Sequence, residues 1–421
     1  MKNIFLYPSK VNGAVKVPSS KSHTLRAILF AALAEGKSTI YDPLDSLDTK
    51  AMLTAVTSMG AKVLSSHPLT IEGVKGVVRF NSTKIHAENS GIVGRFFTPL
   101  AALSMQKMYI TGDESLKLRR PVEPLLKALQ SKQVKVTYTE KKGHFPFWIE
   151  GTFFPDKIEV EGSDSQIVSA LLLSASFQKK PLEIFVKNPG ETPWIDMTLY
   201  WLDKMGVTYE QKNYSYYKVQ GKMLSAFTYQ TPGDFSSALF MAIAALLAGE
   251  VTLKNLNLED PQGDKIVFSW LKQMGGKIFW EKNRVKVKES CLEGGTFDGS
   301  LAIDALPILA VLGCYSKRGI RIENCEMARF KESNRIDAIA SQLRKMGGKV
   351  ETGKDFLHSY PSMLKGAKVY SFKDHRIAMA LAIASLKAKG KTEIEDIACV
   401  AKTYPHFFHD LKRLLKKPDL K

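Results

Sequence analysis

Leu53-Thr54-Ala55-Val56-Thr57-Ser58-Met59-Gly60-Ala61-Lys62-Val63 reads as the last turns of a helix, a Met-Gly stop and the start of a strand. The same succession returns at 197–204 before Met205-Gly206-Val207, at 268–273 before Met274-Gly275-Gly276-Lys277-Ile278, and at 336–345 before Met346-Gly347-Gly348-Lys349-Val350. A looser copy runs through 125–129 before Val134-Lys135-Val136, and 407–415 has the helix with no strand after it. Glycine just past a helix end is the usual way to turn the chain out of it.

Outward from each copy lies a second pattern, a small or polar opening, an Ala/Leu-rich helix and a β-branched strand. Those helices are expected to open near Ser22, Asn89, Ser163, Asp234, Ser300 and Asp374, with strands at 38–41, 108–111, 182–185, 251–253, 320–322 and 392–394. The spacing is about 70 residues, so six repeats fill the chain. The segment 3–7 has a strand pattern without a preceding helix and is expected to complete the sixth repeat. That arrangement predicts two α/β domains of three repeats each. One, 1–19 with 230–421, holds both chain ends, and the other, 20–229, is inserted between them, with crossings near 17–20 and 229–233.

The stretch Pro18-Ser19-Ser20-Lys21-Ser22-His23-Thr24-Leu25-Arg26 begins the first of these helices. The first N–H groups of a helix have no internal partner, so hydroxyls, Lys21 and the positive dipole end together favour an anion. Ser22 and Arg26 stand four apart on one face. Cations beside carboxylates recur at Asp374-His375-Arg376 and in Arg329-Phe330-Lys331-Glu332-Ser333-Asn334-Arg335, where helical spacing would put Lys331 and Arg335 on one face with Glu332 alongside.

With 421 residues, 44% hydrophobic and 24% charged, the chain has the composition of an ordinary soluble globular protein. A formal charge of +18 favours anionic partners. The lysines are spread along the chain apart from Lys412-Arg413 and Lys416-Lys417, and neither a basic stripe with interleaved aromatics nor a helix-turn-helix is present, which argues against nucleic acid as a partner. Cys291, Cys314, Cys325 and Cys399 lack metal-like or C-x-x-C spacing, so a reducing compartment is expected. No apolar run reaches the length of a membrane span, and the first residues lack signal- or transit-peptide character, so a cytoplasmic protein without a membrane partner is expected.

In order and spacing, Pro18-Ser19-Ser20-Lys21-Ser22 with Arg26, Leu44-Asp45-Ser46-Leu47-Asp48-Thr49, Asn89-Ser90-Gly91 with Arg95, Arg120-Pro121, Ser165-Gln166, Gly233-Asp234, Gln262-Gly263-Asp264, Asp304-Ala305, Lys331-Glu332-Ser333-Asn334-Arg335, Asp374-His375-Arg376-Ile377-Ala378-Met379 and Lys402-Thr403-Tyr404-Pro405 resemble the 5-enolpyruvylshikimate-3-phosphate synthase family. The resemblance implies a two-domain inside-out α/β barrel of six βαβαββ repeats, three per domain, with the active site in the cleft between domains. It implies transfer of the enolpyruvyl group of phosphoenolpyruvate to the 5-hydroxyl of shikimate 3-phosphate with release of phosphate, with no cofactor and no metal. It assigns Asp304 as base for the attacking hydroxyl, with Glu332 and Lys21 sharing the other proton transfers. Shikimate 3-phosphate would be held by Lys21, Ser22, Arg26, Ser165, Gln166, Asp304 and Lys331, and phosphoenolpyruvate by Lys21, Gly91, Arg120, Gln166, Arg335, Arg376 and Lys402. A monomer that closes on shikimate 3-phosphate is expected.

Departures from the family pattern bear on those roles. The segment 112–120 leading to Arg120 is one residue longer than the usual spacing, making Arg119 a rival for the clamp. Asp164 stands where a phosphate-binding hydroxyl is usual, which leaves Ser163 as the substitute, and Glu191-Thr192 replaces a Ser-containing turn. Asn334 replaces an acid, and His375 either transfers protons or positions Arg376. After Gly91 the chain reads Ile92, Val93, Gly94, Arg95, Phe96. Glyphosate occupies the phosphoenolpyruvate pocket in the family, so this packing change predicts reduced sensitivity. The sister enolpyruvyl transferase acting on UDP-N-acetylglucosamine usually has Lys-Asn at the first opening and a reactive Cys before its Arg clamp. Here Ser22 follows Lys21 and no Cys lies in 112–120.

Overall fold

In the computed structural model, which describes residues 3–416, the chain forms six small sheets, five of four strands wired alike and a sixth of three strands. Met1, Lys2 and, of the basic run near the C-terminus, Lys417 lie outside the described residues. In the third sheet Lys157–Glu161 runs parallel to Leu182–Lys187, which pairs antiparallel with Tyr216–Gln220, and Thr208–Lys212 forms the edge. Leu182, Ile184 and Val186 point inward at every second position while Phe185 and Lys187 face water, the alternation of a sheet with one covered face. The same order holds in the sheets built around Lys37–Tyr41, Met108–Thr111, Gly249–Lys254 and Ile320–Glu323.

In the sixth sheet Lys368–Tyr370 lies parallel to Thr392–Glu395, and Ile4–Leu6 pairs antiparallel on its other side. The N-terminal strand therefore takes the inner antiparallel place that the fourth strand fills elsewhere. Among the described residues, the chain after the helix Phe407–Leu414 makes a single bridge, Leu415 to Val11.

The chain divides into two compact units, one taking the N-terminal residues through Pro18 and the chain from Pro232 onward, the other Ser19–Thr231. Each has its own apolar core. The strands that lead into the first and fourth repeats have traded sheets. Val11–Lys16, which precedes the helix Lys21–Leu33, pairs with Gly249–Lys254, whereas Thr228–Gln230, which precedes the helix Phe235–Ala248, pairs with Lys37–Tyr41.

The Met-Gly stops turn as their sequence demands. Gly60, Gly206, Gly275 and Gly347 all have positive φ, and in the looser second copy Gln133 takes that conformation at φ 65°. Five of the six opening helices start on a side-chain cap, Ser20, Ser90, Asp164, Asp234 or Asp374, each accepting from a backbone N–H in the first turn. The opening expected near Ser300 is different. Asp298 accepts from the Ser300 N–H at 3.0 Å and starts two 3-10 turns, Gly299–Leu301 and Ile303–Ala305, and the α-helix begins only at Leu306, with Pro307 in its first turn. Asp304 consequently sits on a tight turn instead of within a helix.

Candidate active site

In the unit with both termini, one guanidinium gathers three carboxylates. Arg335, 1% exposed, donates from Nη1 to Asp304 Oδ1 at 2.5 Å, from Nη2 to Glu332 Oε2 at 2.8 Å and from Nε to Asp374 Oδ2 at 2.9 Å. Arg376 Nη2 takes the other oxygen of Asp304 at 2.8 Å, and Lys402 Nζ takes the other oxygen of Glu332 at 2.8 Å. Ser333 Oγ donates to Asp374 Oδ2 at 3.0 Å, and Asp374 Oδ1 accepts from the Arg376 N–H as the helix cap. Five candidate residues, Asp304, Glu332, Arg335, Arg376 and Lys402, therefore form one connected network centred on Arg335.

The helix that carries Arg335 starts at Arg335 itself, so Lys331 and Glu332 are not on its face as the spacing suggested. They lie in the link between the 3-10 segment Glu326–Phe330 and the helix Arg335–Lys345. Asn334 accounts for that start, since its side chain accepts from the Asp337 N–H at 3.3 Å and donates to the Asp337 carboxylate at 2.7 Å.

Burial pushes the Asp304 carboxyl up, but Arg376, Arg335 and the Lys331 ammonium outweigh it and hold the group far below the usual carboxylate range. Burial likewise opposes the charge on Arg335, and Asp374, Glu332 and Asp304 reverse that effect and bind its proton more tightly than usual. Asp304 retains 24% side-chain exposure, so the pair is not sealed. Arg376 shows the clearest gap. Its side chain is buried, Nη2 is engaged by Asp304, and neither Nε nor Nη1 has a hydrogen-bond partner among the described residues. His375 is buried beside it with Nδ1 3.6 Å from Asp374 Oδ1.

In the inserted unit, Gly91 opens the helix Gly91–Leu103 with ordinary φ, and space is the reason for glycine there. A Cβ at this position would stand 2.6 Å from Arg95 Nη1, 2.9 Å from Arg120 Nη1 and 3.2 Å from Gln166 Oε1. Gly91, Arg120 and Gln166 are thus brought to one place, and Arg95 joins them. Arg120 is buried and Arg119 exposed, so Arg120 is the arginine that faces Gly91. Arg95 donates to Asp164 Oδ2 at 2.9 Å, to Gln166 Oε1 at 3.2 Å and to Pro121 O at 2.9 Å. Asp164, the odd acid of its opening, is therefore the counter-ion of Arg95 as well as the cap of the helix Ser165–Ala175.

Arg26 is buried without a carboxylate partner among the described residues. It donates to Thr198 Oγ1 from Nε at 3.0 Å and Nη2 at 2.9 Å, to Ser22 O at 3.3 Å and to Trp194 O at 3.4 Å, and it lies over the Phe96 ring at 5.3 Å. Burial lowers its pKa to about 9. A buried cation held only by neutral groups is poised for an anionic ligand. Lys21 Nζ lies 3.5 Å from the buried Asp48 carboxylate. Ser165 Oγ donates to Glu191 Oε2 at 3.1 Å, so that hydroxyl has a carboxylate as its present partner.

Asp374, Arg95 and Asp48 lie inside motifs visible in the sequence, yet their parts as Arg335 partner, cradle wall and lysine partner emerge only with the fold. Thr198 carries no sequence signal, because only packing of the helix Thr192–Lys204 brings it to Arg26.

The fold is one shared with enolpyruvyl transferases of known structure. It superposes on EPSP synthase from Acinetobacter baumannii with a TM-score of 0.81, at 25% identity over 99% of this chain and 98% of that one. The enolpyruvyl transferase NikO from Streptomyces tendae shares the fold at a TM-score of 0.78 and 16% identity, covering 99% of this chain and 98% of that one. More particularly, the chain belongs to the family EPSP synthase (3-phosphoshikimate 1-carboxyvinyltransferase), whose sequence model matches residues 7–411. It is 43% identical over 412 residues to the 3-phosphoshikimate 1-carboxyvinyltransferase of Chlamydia caviae, covering 97% of this chain and 92% of the relative. To that of Chlamydia abortus it is 44% identical over 413 residues, with the same coverage.

Proposed function

We propose that this chain transfers the enolpyruvyl group of phosphoenolpyruvate to the 5-hydroxyl of shikimate 3-phosphate and releases phosphate. The observation that carries this reading is Arg376, a buried guanidinium with one edge on Asp304 and two nitrogens unfilled. Such an edge suits a carboxylate or phosphate oxygen pair.

The reaction needs a proton removed from the attacking hydroxyl, a proton delivered to the vinyl methylene, and fixed cations for two phosphates and a carboxylate. Asp304 serves as the base. In the unliganded chain Arg335 and Arg376 suppress its basicity, and an incoming anion that shares those guanidiniums restores it. Glu332, held by Lys402 and Arg335, and Lys21, held near Asp48, divide the remaining proton transfers. Arg376, Arg335, Lys402, Arg120, Gly91, Gln166 and Lys21 hold phosphoenolpyruvate. Arg26, Lys21, Ser22, Ser165, Gln166, Lys331 and Asp304 hold shikimate 3-phosphate. His375 positions Arg376.

The same reading takes the chain as a cytoplasmic monomer without a nucleic-acid partner that closes on shikimate 3-phosphate. Its positive charge, dispersed along the sequence, supports the absence of a nucleic-acid partner. Among the described residues no helix is long and apolar enough to cross a membrane.

Steady-state kinetics of two variants test the assignment. Arg376→Gln should raise KM for phosphoenolpyruvate by roughly tenfold or more, the worth of a lost charged hydrogen bond. Arg26→Gln should raise KM for shikimate 3-phosphate instead. If each variant weakened the other substrate, the division would be wrong.

A further inference from the structure

Asp264 is fully buried, and neither carboxylate oxygen has a hydrogen-bond partner among the described residues. A carboxylate in that position is costly unless something in the fold depends on it. Its surroundings point to the reacting groups. The 3-10 turn Gly263–Lys265 packs against the turn Ile303–Ala305 that presents Asp304, and against the helix Phe235–Ala248. Gln262 locks that turn in place, its Oε1 accepting from the Phe235 N–H at 2.9 Å and its Nε2 donating to Gly233 O at 2.8 Å. Lys265 is turned away, donating to Leu258 O and Asp260 O.

The charged and polar groups that face Asp264 are Asp304 on the adjoining turn, Arg376 on the helix His375–Ser385, and Asp234 and Ser236 at the start of the helix Phe235–Ala248. The Ser236 hydroxyl is close enough to favour the carboxylate form, though it completes no hydrogen bond to either oxygen. Burial, reinforced by Asp304 and Asp234, raises the Asp264 carboxyl to about 7, with Arg376 and Ser236 opposing.

We propose that Asp264 is a positioning residue for Asp304 and Arg376 whose own charge sets how much positive field the site offers to an anionic substrate. Neutral Asp264 leaves Arg376 free to be balanced by Asp304 and the substrate. Ionised Asp264 adds a negative charge behind both, competes for the Arg376 field and repels the incoming anion. This rests on the proposed reaction, in which Arg376 receives phosphoenolpyruvate.

The test compares KM for phosphoenolpyruvate between pH 6 and pH 8.5 in the full chain and in Asp264→Asn. The titration of the substrate itself is common to both, so the ratio of their KM values isolates Asp264. That ratio should change by roughly tenfold across the range, the effect of about one pKa unit of coupling. A constant ratio overturns the proposal. Should Asp264→Asn fail to fold, Ser236→Ala provides the second variant. Removing the hydroxyl that favours the carboxylate should move the inflection to higher pH, and an unmoved inflection counts against it. Infrared titration of the unliganded protein reads the same group without substrates. A protonated carboxyl band should be present at pH 6 and lost by pH 8.5, and its absence at pH 6 overturns the assignment. If the band titrates as stated but phosphoenolpyruvate and shikimate 3-phosphate yield no phosphate, the reaction reading is what fails.

Discussion

Arg335 and Asp304 meet at 2.5 Å between a guanidinium that is 1% exposed and a carboxylate that is 24% exposed. The arginine is also the shared partner of Glu332 and Asp374, so it neutralises the inner face of the site while Asp304 remains reachable. Removing one partner of a buried ion cluster strands the others. Arg335→Met should therefore lower stability by about 3–5 kcal/mol in chemical denaturation. Arg335→Lys should recover only part of this, because an ammonium cannot reproduce the planar fork. Full recovery with lysine would show that charge alone matters there.

Gly91→Ala tests the cradle in the inserted unit. The added Cβ meets the tips of Arg95, Arg120 and Gln166, and moving the Arg95 tip disturbs its bonds to Asp164 and Gln166, so stability should fall by about 1–3 kcal/mol. KM for phosphoenolpyruvate should rise by roughly tenfold or more as the guanidinium tips leave their places. Ile92 and Phe96 follow on the same helix, both buried, with Phe96 lying under Arg26. Glyphosate should accordingly inhibit weakly, and an inhibition constant as low as that of sensitive family members would contradict this.

Asp304→Asn and Glu332→Gln should each reduce turnover by roughly a hundredfold or more, the usual consequence of losing an acid-base group. Substrate binding in single-turnover experiments should survive better than the chemical step. Loss of binding with an unchanged chemical step would reassign both residues to holding substrate.

Asp264 also predicts a dependence of stability on pH. Its folded pKa is raised from 3.8 to about 7, so the folded chain binds a proton that the unfolded chain releases. Its cost to stability is absent below the unfolded value, grows as pH rises toward 7 and is constant beyond. Asp264→Asn removes that cost, so its melting temperature relative to the parent should be higher at pH 8 than at pH 4.5. An equal difference at both pH values would mean that Asp264 is ionised throughout.

The repeat was legible because each Met-Gly stop places the one residue type that turns easily with positive φ, and because strand alternation survives in Leu182, Ile184 and Val186. The exchange of leading strands between the first and fourth repeats was not, since 11–16 and 228–230 carry the same strand pattern and nothing local states which sheet receives them. Asp304 was legible as an acid but its place in a 3-10 turn was not, because the Asp298 cap and Pro307 shorten a helix that composition alone would extend. Asp164 looked misplaced until Arg95 supplied its partner across 69 residues of sequence, roughly one repeat. Charge pairs made by tertiary packing leave no periodic trace.

The most direct measurement is phosphate release from phosphoenolpyruvate with the purified chain, run in parallel with shikimate 3-phosphate and with UDP-N-acetylglucosamine as acceptor. The account predicts release that depends on shikimate 3-phosphate and none above background with the sugar nucleotide. Release with UDP-N-acetylglucosamine, or none with shikimate 3-phosphate, would contradict it.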